Sequence, residues 1–314
     1  MPAEAIHLSA LHDTLTTAPA AARRFLAGTE RERAARLGAI LVDLPYFDRF
    51  TQAVLNYVLK RPQVSSRWGE TFHHRTPIAF ARALGEAAVE LGRSSLTREA
   101  GAELLALALG YTSHAAVDTS MHPMVNTEAR RRAAALGGTL GQQHHEVEKF
   151  QSILFHQERL GLDFMGTSHL YRYISVDVRP VARPGAVQEA LRGVLQRLHG
   201  EAPTVEELGR WGSGYRRYVL ILSSPLGKTI APPAAKERAR PELFDGLEFP
   251  RRFAAAVAQS RRWVEAMAGY LSDGRFDDSA REALHRVMPE GSIDPDPGRD
   301  PGPDPGREAA PGTA

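Results

Sequence analysis

The sequence predicts an all-α fold. Ala and Leu dominate while β-branched runs are few, apolar residues recur at helical spacing through most of the chain, and glycines and prolines fall where helices should start or stop. The 314 residues suffice for a sizeable core, in one large domain or two small ones. A hydrophobic content of 43% with 24% charged residues is that of a globular protein rather than a disordered chain.

In order along the chain, 1–25 reads as a helix bearing His7, Leu8, Leu11, His12 and Leu15. Gly28 and Gly38 bracket a charged helix, and 39–46 is an apolar stretch with a single carboxylate, Asp43, just before Pro45. A helix at 50–59 leads to a loop at 60–76 that carries Phe72-His73-His74. Pro77 suits the first turn of a helix at 78–91, because that position needs no backbone donor. Thr97 as N-cap and Glu99 in the first turn open the next helix, which is apolar and bound for the interior. Pro123 should end or kink it, since a residue before proline avoids the α region. After the Gly137-Gly138 break comes a helix at 142–160, with Phe150, Ile153, Leu154 and Phe155 at core spacing. Further helices are expected at 187–198, 204–222, 250–271 and 279–287, while 171–178 alternates only weakly, so that a short strand there is the less favoured reading. From Asp294 a Pro/Gly/Asp repeat without apolar residues predicts a disordered tail. The expected organisation is a metal-binding helical unit at 1–160, a helical extension at 161–288 packed on it, and a tail at 289–314.

Composition excludes several functions. With no cysteine, neither a disulfide framework nor a thiolate metal site is possible. The net charge of +2 is too slight to imply nucleic acid, and Arg130-Arg131-Arg132, Arg216-Arg217, Arg251-Arg252 and Arg261-Arg262 read as solvated helix faces. No apolar run is long enough to span a membrane, and 1–15 lacks a basic start followed by an apolar core, so a cytoplasmic location is expected.

The chemistry concentrates on the long helix. Residues four apart share a helix face, so His114, Asp118 and His122 form a polar stripe on an otherwise apolar segment. Burying two imidazoles and a carboxylate costs several kcal/mol unless they satisfy one another or hold an ion. The next helix repeats the spacing with His144 and Glu148. Chance alone gives about 1.4 such pairs in this composition, so their position on consecutive apolar helices carries the argument, not their number. Without thiolates, zinc would take histidine and carboxylate ligands. His74, His145 and Glu146 could orient ligands, and His156, His169, His199 and His285 are expected at the surface or at caps. The His12-Asp13 dyad of a helical metal phosphohydrolase stands alone and reads as a solvent-facing pair. Gly227-Lys228-Thr229 lacks the first glycine of a phosphate loop, Gly212-Ser213-Gly214 lacks the nucleophile-elbow frame, and His145-Glu146 lacks the second histidine of a zinc protease helix.

The order Asp43, His73, His114-x3-Asp118 with His122-Pro123, then His144-x3-Glu148, resembles the zinc-dependent phospholipase C family, relatives of the S1/P1 nucleases, over roughly residues 5–160. The resemblance implies a helical bundle around a cluster of two or three zinc ions. It implies that Asp43, His73, His114 and Asp118 hold one zinc, with Asp118 bridging to a second that His7 joins. His122, His144 and Glu148 would hold another. His73 is preferred to His74 because it stands four residues before Pro77. Asp43 would also orient or deprotonate a metal-activated water. The implied activity is hydrolysis of a phosphate ester, either a phosphodiester or a phospholipid head group. The alternatives are a nuclease-like or HD-type phosphohydrolase, and a non-catalytic binding protein stapled by its metal.

Overall fold

The computed structural model of the chain describes residues 3–59 and 66–294, and among these no strand occurs. The helices are α1 (Ala3–Thr17), α2 (Ala20–Arg23), α3 (Thr29–Gly38), a 3-10 turn (Leu44–Phe47), α4 (Phe50–Val58), α5 (Arg67–His74), α6 (Pro77–Gly92), α7 (Arg98–Leu136) and α8 (Leu140–Leu160). After them come α9 (Ser168–Ile174), α10 (Arg179–Ala182), α11 (Ala186–His199), α12 (Val205–Ser223), α13 (Gly227–Ile230), α14 (Pro233–Ala239), a π-helical turn (Arg240–Asp245), α15 (Phe249–Asp273) and α16 (Asp278–Val287). Among the described residues no helix is long and apolar enough to cross a membrane.

The axis of the molecule is α7. From Leu104 to Asp118 every residue is buried, so this helix is covered on all sides, by α1, α3, α6, α8 and α15. Each fully buried leucine such as Leu104, Leu107 or Leu109 contributes roughly 1.5–3 kcal/mol of transfer free energy. The contact with α3 depends on two glycines. A Cβ on Gly38 would lie 2.0 Å from the Leu107 carbonyl oxygen, and one on Gly110 would lie 2.0 Å from that of Ala35. Only hydrogens at those positions let the two backbones approach this closely.

The later helices share this core rather than forming a separate one. Thr14 of α1 donates to Ser260 of α15 at 2.8 Å, and Ser260 lies 2.8 Å from Ser113 of α7, so one hydroxyl chain ties three helices. Phe47 stacks its edge on Tyr215 and tilts against Tyr218, which docks α12 on the 3-10 turn that follows Asp43.

Four expectations change. The 1–25 helix is broken at Ala18-Pro19, where proline starts α2 because it cannot continue α1. The expected loop at 60–76 contains α5, whose N-cap Ser66 accepts from the Gly69 amide; 60–65 lie outside the described residues. Pro123 neither ends nor breaks α7, which runs on to Leu136. Its ring is exposed and the turn before it half-buried, so the carbonyl it leaves without a donor lies at a wet face. At 171–178 the less favoured strand is absent, as the weak alternation implies, and Leu170 and Ile174, one helical turn apart, are both buried as part of α9. Finally, of the expected tail, 292–294 is packed: Ile293 is buried and its amide donates to the His73 carbonyl at 3.0 Å. The repeat expected to be disordered falls, after Asp294, outside the described residues.

Candidate metal centre

Every residue expected as a ligand converges on one place. Three groups offer donor atoms within 4.8 Å of one another: His7, His114 and Asp118; Asp43, His73 and His114; and His122, His144 and Glu148. Asp118 joins them. Its Oδ1 lies 3.3 Å from His7 Nε2 and 3.5 Å from His122 Nε2, while its Oδ2 lies 2.8 Å from His114 Nε2 and 3.7 Å from His73 Nε2. Asp43 stands 3.7 Å from His73 Nε2, and Glu148 stands 3.3 Å from His122 Nε2 and 3.2 Å from His144 Nε2.

Helix geometry delivers these atoms. His114, Asp118 and His122 descend one face of α7, and His144 and Glu148 share a face of α8. His73 sits in the last turn of α5, where its Nδ1–H donates to the Gly69 carbonyl four residues back at 2.8 Å. His114 Nδ1–H donates to the Ala39 carbonyl at 2.7 Å, a contact set by the close approach of α3 and α7. His144 Nδ1–H donates to the Asn126 side-chain oxygen at 2.8 Å. In each ring the proton is committed on Nδ1, which leaves Nε2 as a lone pair facing a carboxylate.

Two lone pairs that face each other in a dry interior repel. The pair His114 Nε2 and Asp118 Oδ2 is 2.8 Å apart, yet neither atom has a hydrogen-bond partner, although both are buried. Something positive must lie between such groups, either an added proton or a cation. Without a cation the imidazoles are driven to take protons. Burial disfavours charge on His114, but Asp118 and Asp43 overturn that and raise its pKa to about 9. His122 and His144 are raised likewise against the pull of burial, the first mainly by Asp118 and the second by Glu148. Burial would raise Asp118 and Glu148, yet the surrounding histidines hold both well below the usual carboxylate range. His7, stacked on His114 with ring centroids 3.7 Å apart, goes the other way: burial and the neighbouring His114 lower it to about 4.

Exposure is graded across the cluster. The His114 and Asp118 side chains are 0% and 2% exposed, whereas Asp43, His144 and Glu148 are 18%, 15% and 17% exposed. One flank is sealed and the other meets solvent. Between His7, Asp118, His122 and Glu148 and an apolar wall that includes Val117 and Phe249 lies a cavity of about 30 Å³. It has room for a water or an ion and no more.

Other candidates fall outside the cluster. His74 points at Ser292, 2.8 Å away, and half-exposed His145 reaches Glu148 only at 3.9 Å, while Glu146 pairs with Lys149. His12 is exposed, and Asp13 accepts two hydrogen bonds from Arg159, so the dyad is indeed a surface pair. The expectation that His156 lies at the surface or a cap is wrong. It is 0% exposed, with Nδ1–H donating to the Ser152 carbonyl at 2.7 Å and Nε2 lying 2.8 Å from Ser9 Oγ. Its burial follows from helix period, since Ile153 and Ser152 on the same side of α8 are also buried.

Two residues at the centre escaped the sequence reading. Asn126 continues the α7 face one turn past His122, and Asp294 Oδ1 lies 3.1 Å from His122 Nδ1. The sequence marks Asp294 only by Ile293, an apolar residue just before the polar repeat, which does not say where the segment folds.

A family model described as zinc dependent phospholipase C matches residues 6–183 of the chain. No curated protein and no solved structure matches it.

Proposed function

Since the chain belongs to the zinc-dependent phospholipase C family, we propose that it is a zinc-dependent hydrolase that cleaves a phosphate ester, with a phospholipid head group as the favoured substrate. The donor set fits two zinc ions: all histidine and carboxylate, with lone pairs converging and buried atoms such as His114 Nε2 and Asp118 Oδ2 left without hydrogen bonds. Asp43, His73, His114 and Asp118 would hold one ion and His122, His144 and Glu148 another, with Asp118 reaching towards both and His7 facing its other oxygen. Zinc lowers the pKa of a water it binds towards neutrality and offsets charge on phosphoryl oxygens.

The chain's own residues do the rest. Asp43, at the exposed flank, orients the attacking water and takes its proton, which makes it the general base. The carbonyls of Ala39 and Gly69 hold the His114 and His73 rings so that their lone pairs stay aimed inward. Ile6, Val117, Met121 and Phe249 keep bulk water off the sealed side.

The observation that carries catalysis over a structural staple is the graded exposure of the ligands. A stapling site is closed on all sides, whereas a catalytic one leaves a coordination position that water and substrate can reach. Support for an amphiphilic substrate comes from the segment after Asp43, where Tyr46, Val54 and Leu55 are exposed apolar side chains. The test is turnover by zinc-loaded protein of p-nitrophenyl phosphorylcholine, bis(p-nitrophenyl) phosphate and single-stranded DNA. The expected order puts the phosphorylcholine ester first; absence of turnover on all three leaves the metal as a staple.

A further inference from the structure

Four histidines of the centre have Nδ1 facing an acceptor, and three of the acceptors lie within or beside the helices that carry the ligands: the Gly69 and Ala39 carbonyls and the Asn126 side chain. The fourth does not. His122 Nδ1 faces Asp294, on a segment 172 positions further along the chain that folds back over the site. Three contacts hold this segment: Ile293, buried, donates its amide to the His73 carbonyl at 3.0 Å, Ser292 donates to the same carbonyl at 3.3 Å, and Ser292 Oγ lies 2.8 Å from His74 Nδ1. Asp294 Oδ1 also accepts from Asn126 Nδ2 at 2.6 Å, and Asn126 in turn accepts from His144 Nδ1. A single carboxylate oxygen therefore stands behind both histidines of the His122–His144–Glu148 group, at ion-pair distance from His122 Nδ1 and through the Asn126 hydrogen bonds for His144.

We propose that Asp294 is a positioning residue for the second zinc: through His122 directly, and through Asn126 and His144, it fixes the ring orientation of both imidazoles and makes them better donors. This rests on the reading of the cluster as a zinc site. A carboxylate behind a ligating imidazole locks its tautomer and raises its basicity, and loss of such a partner typically weakens metal binding 10–100-fold. In the other group, around His114, the His114 and His73 rings are held by backbone carbonyls instead. The effect is thus confined to one of two ions.

The experiment measures both zinc dissociation constants by chelator competition in the full-length wild type, Asp294→Ala and Asp294→Asn, with visible spectra of the cobalt-substituted proteins. Asn keeps an oxygen acceptor at the same place and loses the charge, and it guards against an Ala variant that fails to fold. The expected result is that Asp294→Ala weakens the second ion 10–100-fold, that Asp294→Asn weakens it less, and that the first ion keeps its affinity in both. The cobalt bands of the second position should shift and those of the first stay. Equal weakening of both ions, or no change in either, overturns the proposal while leaving the zinc reading intact. A wild type that binds no zinc overturns both.

Discussion

His114 Nε2 and Asp118 Oδ2 stand 2.8 Å apart, one turn along α7, with no hydrogen bond at either atom. Asp118 is the hinge of the account because its two oxygens serve different histidines, His7 and His122 on one side and His114 and His73 on the other. Asp118→Asn should therefore lower zinc binding at both positions and reduce hydrolysis at least 100-fold. In the presence of chelator it should also destabilise the fold by about 3–5 kcal/mol, the usual cost of removing one partner of a buried pair. Elemental analysis and thermal denaturation in EDTA read the two effects separately.

His114→Ala and His144→Ala should both abolish hydrolysis of a phosphocholine ester, but they should part company on stability. The His114 side chain is fully buried, so its loss leaves a cavity and an unpaired Ala39 carbonyl; about 2–4 kcal/mol is expected without metal. The His144 side chain is 15% exposed and gives up its contacts with Asn126 and Glu148 at a flank that meets solvent, so its truncation should cost less, about 1–2 kcal/mol. Denaturant titrations of the chelated variants check the difference.

Gly38→Ala should act at a distance. Its Cβ would lie 2.0 Å from the Leu107 carbonyl oxygen, so α3 must move off α7 at a cost of roughly 1–3 kcal/mol or more. Ala39, the next residue, provides the carbonyl that holds His114. Zinc affinity at the first position should fall together with stability, whereas a substitution at an exposed position of the same helix, Arg33→Ala, should move neither.

A pH dependence follows from His156, which the metal does not touch. Burial keeps its imidazole neutral and lowers its pKa from 6.5 to about 4. Above 6.5 both folded and unfolded chains hold it neutral, and it contributes no pH slope. Between 6.5 and 4 only the unfolded chain takes the proton, so the fold loses stability as pH falls, by up to about 3 kcal/mol. His156→Gln should flatten the slope of unfolding free energy between pH 6.5 and 4, measured in EDTA so that zinc release does not contribute. An unchanged slope would place the acid sensitivity elsewhere.

Much of the fold and the centre could be read from the residues, for identifiable reasons. The stripe of His114, Asp118 and His122 was legible because fixed helix period turns spacing into a face, and Pro77 and Gly137-Gly138 mark real boundaries. Pro123 misled because a local rule was overridden by burial along the rest of α7. α5 was missed because eight residues give little more than two turns of pattern, and its stripe of Trp68, Phe72 and His73 mixes apolar and polar groups. Asp294 was illegible for another reason. Nothing in a local window says that a carboxylate at the edge of a polar repeat folds back to His122, and only the burial of Ile293 explains why it does.

The central claim is that these eight side chains bind zinc, and the most direct measurement is the metal content of purified, folded protein with its melting temperature before and after chelation. About two zinc ions per chain are expected, with a melting temperature that drops by several degrees when they are stripped, because ligand binding stabilises only the folded state. A protein that folds without metal, takes up none from micromolar zinc and melts at the same temperature in chelator would contradict it.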